Sequence, residues 1–392
     1  MSIYLDNAAT TAVRKEVLAA MLPFFSENYG NASAKYYELG KRSRRAVMAA
    51  RGQVARLLGA NDYADEDKLP EVFFTSGATE SNNWVIQNAP TFTGKKHLIT
   101  SSIEHHAVLE TAEFMAKKHG CALTVVPVDG RGFVNPADLE KAITSDTALI
   151  SIMFANNEVG TIEPLAAIAE IAKKHGVLCH TDAVQAAGKV PLDVKKLGVD
   201  FLSISGHKFY GPKGVGALYI SPAVKNFPAW SHGGGQEKHR RAGTYNVPGI
   251  VGLGAAAELA QAEMAAVDAR ERELVERLWT GLAAIPRIYR NGDTTERLPN
   301  ILNVRFDGAE GEAILLRLDR QGIQVASGSA CSTDSLEPSH VLLALGVPTE
   351  SAHGSIRFSL GRETTADDID QTIAITAQQV KIIRDMSVTW DG

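Results

Sequence analysis

Several side chains stand where their type and surroundings would let them do chemistry. Lys208 lies in Gly206-His207-Lys208-Phe209-Tyr210-Gly211, directly after an apolar run, a context that shields an amine from water. A lysine so placed can lower its pKa and act as a nucleophile. Asp182 follows another apolar run, and an aspartate one strand away can stabilise a protonated pyridine nitrogen, making such a ring an electron sink. Ser76-Gly77-Ala78-Thr79-Glu80-Ser81 is a turn of small residues that opens a helix, where free N–H groups and the positive dipole end suit a phosphate. A plain capped helix start is the competing account of that turn. Lysine, aspartate and phosphate cradle together point to pyridoxal phosphate.

Cys331 sits in Ala326-Ser327-Gly328-Ser329-Ala330-Cys331-Ser332, after the short strand Ile323 to Val325. That run of small residues predicts a mobile, exposed loop, where a free thiol is a liability unless used as a nucleophile. Cys121 and Cys179 border or lie in apolar runs and read as buried small hydrophobes. Three cysteines at these spacings form neither a disulfide framework nor a metal knuckle. Arg357, between Ser355 and Ser359, offers a guanidinium for paired hydrogen bonds to a carboxylate; a surface ion pair is the plainer alternative.

These residues need a scaffold, and the sequence supplies one. From Glu71 to Ser221 short β-rich runs alternate with helical stretches, the pattern of a parallel sheet covered by helices, and so of an α/β fold. The strands are expected at Val72 to Thr75, His97 to Thr100, Leu123 to Val128, Ala148 to Met153, Val177 to Thr181, Phe201 to Ser205 and Ala217 to Ile220. Helices at Ala107 to Lys118 and Leu165 to Lys174 end in basic residues before Gly120 and Gly176. Ligands collect at the carboxyl ends of such strands. There stand Glu104-His105-His106, Asn156-Asn157-Glu158, Asp182 with Gln185, and Ser205-Gly206-His207-Lys208. From about Ala255 a long amphipathic helix with Leu274, Leu278, Leu282 and Ile285 on one stripe reads as a domain connector. Beyond it the alternation around Leu302, Val304 and Phe306, and around Ile356, Phe358 and Leu360, predicts two half-buried strands. Helices are expected at Gly311 to Asp319, Ser339 to Leu345 and Asp367 to Arg384, the last opened by a capping box from Thr365 to Asp368.

Other chemistries fit less well. With 40 basic and 45 acidic residues among 392, the net charge of −5 argues against direct nucleic-acid binding. Gly252-Leu253-Gly254-Ala255-Ala256-Ala257 spells a dinucleotide fingerprint but lacks a convincing strand before it, and small residues for close helix packing explain it better. The eleven histidines include no H-E-x-x-H pair, so no metal site is expected. Pro248 to Ala257, the longest weakly polar run, is short of the ~20 residues that cross a bilayer, and no membrane segment is expected. The opening MSIYLDNAATTAVR has no basic head and apolar core of a secretory signal, which points to the cytoplasm.

Taken together, these segments resemble the cysteine desulfurases of the NifS/IscS type, pyridoxal-phosphate enzymes of the class V aminotransferase group. The resemblance runs over nearly the whole chain. It is carried by Tyr4-Leu5-Asp6-Asn7-Ala8-Ala9-Thr10-Thr11, the Ser76 to Ser81 turn, Glu104-His105, Asn156-Asn157-Glu158, His180-Thr181-Asp182-Ala183-Val184-Gln185, Ser205-Gly206-His207-Lys208 and Arg241-Ala242-Gly243-Thr244. Most specific are Ser327-Gly328-Ser329-Ala330-Cys331, Leu336-Glu337-Pro338-Ser339-His340 and Ile356-Arg357-Phe358-Ser359-Leu360-Gly361-Arg362.

The resemblance implies the type I fold of pyridoxal-phosphate transferases, with a mainly parallel seven-stranded sheet in a large domain over 15–260 and a smaller α/β domain from 1–14 and 261–392. It implies that Lys208 holds the cofactor covalently and moves protons, and that His105 stacks on its ring. Asp182 should pair with the ring nitrogen, and Gln185 and Asn157 should contact the ring hydroxyl region, Asn157 also facing the substrate. Ala78, Thr79, Ser205 and His207 should hold the phosphate, with Thr244 reaching across from the other subunit of a homodimer. Arg357 should bind the carboxylate of L-cysteine, and Cys331 should take its sulfur as a persulfide, leaving L-alanine. A scaffold or sulfur-carrier protein for iron–sulfur cluster assembly or thiolation is then the acceptor. A selenocysteine lyase or another class V enzyme is the alternative on the same fold. The spelling departs from the family's at Ala32, Tyr37, Lys238-His239 and Tyr245, none of them a cofactor contact named here.

Overall fold

The computed structural model describes residues 2–61, 69–327, 338–387 and 390. In chain order its strands are β1 (Ile3–Tyr4), β2 (Val72–Thr75), β3 (His97–Ser101), β4 (Ala122–Val126), β5 (Thr147–Ser151), β6 (Leu178–Asp182), β7 (Phe201–Ser205), β8 (Gly216–Ile220), β9 (Ile288–Asn291), β10 (Ile301–Phe306), β11 (Ile323–Gln324), β12 (Ala326–Ser327) and β13 (Ser355–Ser359). Seven of them form one sheet in the order β2-β8-β7-β6-β5-β3-β4. All neighbours are parallel except β8, which runs antiparallel to both β2 and β7. Strands β2, β3, β5, β7 and β8 are buried along their whole length, which is why they read as unbroken apolar runs rather than as alternation.

The parallel strands all end on one edge, and there the chain turns into the segments that carry the polar residues. Ladder pairing stops at Val126 and Ser151, two residues short of the expected strand ends, although Ile152 and Phe154 still donate to the carbonyls of His180 and Asp182. Two hydrophobic cores lie on this sheet, one including Val54, Ile150, Leu202 and Ile204 and the other Trp84, Leu98, Leu149 and Phe201. Another joins Ile3 and Leu5 to Leu278, Val304, Phe358 and Ile369. Cys121 and Cys179 are buried, as expected of small hydrophobes.

The connector helix is longer than the sequence suggests. It runs over Val247–Leu282, starting eight residues before Ala255 and ending before Ile285. The Asn246 side chain caps it by accepting from the Gly249 N–H. Its glycines are there because other backbone lies against them: a Cβ on Gly254 would fall 2.6 Å from Ala50 Cα in the helix Glu38–Leu58. The dinucleotide spelling is therefore a packing surface. One eighteen-residue window of this helix has a mean hydropathy of 1.3, long and apolar enough by composition to cross a membrane. Its first half packs into the core that includes Val54 and its second half into the core that includes Ile3.

Strands β10 and β13 correct the expectation of half burial. Both are buried on both faces, because the polar residues of one face press against the large sheet's loops instead of water. Asn303 and Arg357 are register partners. Asn303 Nδ2 donates to the Glu158 carbonyl at 3.3 Å and Arg357 Nη1 to the Asn157 carbonyl at 2.9 Å.

A strained turn lies outside these cores. Glu237, Lys238 and His239 have φ of 46°, 55° and 64°, the left-handed region that side chains disfavour. The buried Glu237 carboxylate fixes the turn, taking Arg51 at 2.7 and 2.8 Å and the Phe74 N–H at 2.9 Å. His239 is exposed. His239→Gly is therefore expected to stabilise the fold by up to about 1 kcal/mol. An unchanged or lower denaturation midpoint would show that the turn is not under strain.

Candidate active site

A cavity of about 530 Å³ opens at the carboxyl edge of the sheet. The chain reaches Lys208 through a single 3₁₀ turn, Gly206–Lys208, directly after β7. Its Nζ donates to the carbonyls of Ala8 and Ala9 at 2.7 and 2.8 Å. Those carbonyls belong to a segment held at both ends. Asn7 Nδ2 donates to the Ser359 carbonyl at 3.0 Å, and the Thr11 N–H donates to the His207 carbonyl at 2.9 Å. The N-terminal segment thus roofs the cavity and holds the lysine amine at its wall.

Asp182 ends β6. One of its oxygens accepts from Asn82 Nδ2 at 2.7 Å, the other from the Val184 N–H at 3.0 Å. The carboxylate is only 6% exposed, and no cationic side chain among the described residues pairs with it. An unpaired buried carboxylate is costly unless a cation completes it. Asn82 Oδ1 beside it is buried without a partner among the described residues.

At the other end of the cavity the helix Ala78–Thr93 begins after Gly77 without a side-chain cap. The N–H groups of Ala78 and Thr79 have no acceptor among the described residues. Gly216 of β8 lies so near this turn that a Cβ on it would fall 2.7 Å from Gly77 Cα. Ser205 and His207 complete this wall. His207 Nδ1 lies 3.1 Å from Thr10 Oγ1, and burial, aided by Lys208, holds the ring's pKa down to about 4. Glu80 fixes the turn by accepting from the Ser76 N–H at 2.8 Å while paired with Arg241.

His105 caps the next helix: its Nδ1 accepts from the Ala107 N–H at 3.0 Å, so the neutral ring carries its proton on Nε2. Burial lowers its pKa against the opposing pull of Asp182. Asn157 and Gln185 line the same cavity, as does Arg357. Arg357 is 3% exposed; its Nη2 donates to Asp6 Oδ1 at 2.7 Å, and its Nε is buried without a partner among the described residues. A guanidinium fixed on one side by Asp6 and Asn157 is poised for a carboxylate. The structure thus brings Lys208, His105, Ala78, Thr79, Asn157, Asp182, Gln185, Ser205, His207 and Arg357 to one cavity. Thr244 does not line it and stands exposed on the surface. Cys331 lies outside the described residues, but its flanks do not. Ser327 pairs with Ile356 beside Arg357, Ser339 Oγ donates to Glu158 Oε2 at 2.5 Å, and His340 Nε2 lies 3.0 Å from the Glu104 carbonyl.

The residues that hold the others in place carry no local signal of that role in the sequence: Ala8, Asn82, Asp6 and the carboxyl of Glu104. Glu104 is fully buried; Ser101 Oγ and the Met153 N–H donate to Oε1 at 2.6 and 2.8 Å, and Oε2 has no partner among the described residues. Burial pushes its carboxyl from 4.5 up to about 8, against those two hydrogen bonds. Between these pH values the folded protein holds a proton that the unfolded chain has lost, so stability falls as pH rises. Glu104→Gln keeps the Oε1 acceptor and loses the titration. Its melting temperature should gain on wild type between pH 5 and 8 and hold that gain above. A difference independent of pH would contradict the neutral carboxyl.

The class V aminotransferase family model matches residues 3–372. A protein of Methanosarcina thermophila named cysteine desulfurase IscS is 53% identical over 389 residues, 98% of this chain and 94% of that protein. Among solved structures, a NifS-like protein superposes with a TM-score of 0.89 at 40% identity, covering 97% of this chain and 100% of the other. A structure described as SspA in complex with cysteine gives 0.80 at 36% identity, covering 92% and 99%. With that match spanning nearly its whole length, the chain belongs to the class V aminotransferase family.

Proposed function

We infer that this chain is a cysteine desulfurase that uses pyridoxal phosphate to convert L-cysteine to L-alanine, passing the sulfur to Cys331. The observation that carries this is one cavity holding a lysine amine, together with a buried carboxylate that has no cationic partner, and helix-start N–H groups that have no acceptor, among the described residues. Asp182 suits a protonated ring nitrogen, and Ala78, Thr79, Ser205 and His207 suit the phosphate. Bound there, the cofactor would supply an electron sink that acidifies Cα–H of an attached amino acid and loosens its Cβ–S bond.

The chain's own groups do the rest. Lys208 holds the cofactor and carries the proton that leaves the substrate Cα. His105, neutral, covers one face of the ring, and Gln185 and Asn157 meet its hydroxyl side. Arg357 takes the substrate carboxylate and so sets which end of cysteine faces Lys208. The Cys331 thiolate attacks the substrate sulfur: the Cβ–S bond breaks, an S–S bond forms, and the carbon fragment takes up protons to become alanine. Ser327 lies four residues before Cys331, a reach of about 14 Å for extended chain. The flanks anchored at the Arg357 and Glu104 segments support this placement.

In this reading the chain works as a homodimer in which Thr244 serves the partner's phosphate site, and a scaffold or sulfur-carrier protein collects the persulfide. Residues 15–260 form the cofactor domain, and 1–14 with 261–392 the smaller one, in keeping with the core that joins Ile3 and Leu5 to the C-terminal strands. Protein incubated with pyridoxal phosphate is expected to turn yellow and release alanine from L-cysteine. Folded protein that stays colourless would refute the assignment.

A further inference from the structure

A second lysine sits behind the cavity wall. The turn after β6 folds back at Gly188, whose φ is +76° and where a Cβ would fall 2.8 Å from Phe209 Cβ. This brings Lys189 onto Gln185: its Nζ donates to the Gln185 carbonyl at 3.1 Å and to Oε1 at 3.2 Å. Gln185 Nε2 in turn donates to the Ala8 carbonyl at 2.9 Å, the oxygen that also takes Lys208. Gln185 is 4% exposed and lines the cavity.

An amide has two ends of nearly the same shape, and its neighbours decide which way it faces. Lys189 donates to the amide oxygen, and the Ala8 carbonyl can only accept from the amide nitrogen. Held between Lys189 and Ala8, the Gln185 amide has one orientation, and its second N–H is the capacity left for a ligand. We propose that Lys189 is a positioning residue that locks the Gln185 amide so that it offers a donor, not an acceptor, to an anionic oxygen of the cofactor ring. Without the lysine the amide oxygen loses its donor, and among the described residues only the Ala8 carbonyl, shared with Lys208, still orders the amide; an amide that turned over would set its own oxygen against that anion.

The surroundings are consistent with a lysine kept for this purpose. Burial lowers the pKa of Lys189 to about 7, opposed by Glu271 on the connector helix and reinforced by Lys208 and Arg357. His207 also feels its charge. Glu271 is itself buried, with Oε2 unpartnered among the described residues. The half-buried amine meets no carboxylate at ion-pair distance among the described residues, and the hydrogen bonds shown for it go to Gln185.

The inference rests on the pyridoxal phosphate reading, and the test separates the two. Each protein is loaded with pyridoxal phosphate and the pH at which its visible absorbance changes form is measured. A lost hydrogen bond to the ring anion makes that oxygen more basic, so Lys189→Met should move the transition to higher pH by about one unit. Lys189→Leu serves as a second variant should the first not fold. Lys189→Arg, which keeps donors, should titrate like wild type. In a Gln185→Leu background Lys189→Met should add no further shift, since the amide it positions is gone. An unshifted transition in Lys189→Met, or the same shift with and without Gln185, overturns the proposal. A wild-type protein that takes up no chromophore overturns the cofactor reading itself, and the proposal with it.

Discussion

Lys208→Ala should abolish alanine formation, by on the order of 10⁴-fold or more, and should leave a protein that no longer retains its chromophore through gel filtration. The expectation follows from where the amine sits. It is the one lysine presented directly after β7, and its Nζ is held by the Ala8 and Ala9 carbonyls at the cavity wall. No other described side chain in the cavity combines nucleophilic nitrogen with that placement; Lys213 at the rim lies on an exposed turn. Loss of a structural ammonium would look different. Lys208→Arg keeps donors for both carbonyls and removes the nucleophile, so it should fold like wild type and be as inactive as the alanine variant. Recovery of activity in Lys208→Arg would assign the lysine a purely structural part.

Cys331→Ala should separate sulfur transfer from cofactor binding. The variant is expected to keep the yellow colour and to respond to L-cysteine with a spectral change, because none of the described cavity residues is altered. Its alanine output should fall by at least ~10²-fold, since in the proposed reaction a tethered thiol attacks the substrate and outcompetes any millimolar thiol in solution. Added thiol should restore only a small part. A variant that had lost both colour and turnover would place Cys331 in the fold and not in the chemistry.

How far the sequence discloses this site depends on how local each relation is. Lys208, Asp182 and Asn157 were legible because each comes after an apolar strand, and parallel strands deliver the residues beyond their carboxyl ends to one edge. The Thr365–Asp368 capping box was legible because its two hydrogen bonds span three residues. The relations that hold the site together were not. Asp6 meets Arg357 across 351 positions, and Ala8 meets Lys208 across 200. Nothing in the composition of either segment marks the other. Alternation in β10 and β13 suggested one wet face, whereas Asn303 and Arg357 spend that face on the Asn157–Glu158 segment. The early start of the connector helix was hidden by Gly252 and Gly254, which are poor helix formers alone and are admitted because the helix Glu38–Leu58 and Met21 lie against them.

The proposed chemistry divides the work: one cavity prepares cysteine and one thiol removes its sulfur. A single turnover tests both halves at once: holoenzyme is mixed with one equivalent of L-cysteine, alanine is counted, and the peptide bearing Cys331 is weighed. The expected result is one alanine per site and a Cys331 peptide heavier by one sulfur atom. Alanine formed at the wild-type rate by Cys331→Ala, or cysteine consumed without alanine, would contradict that division.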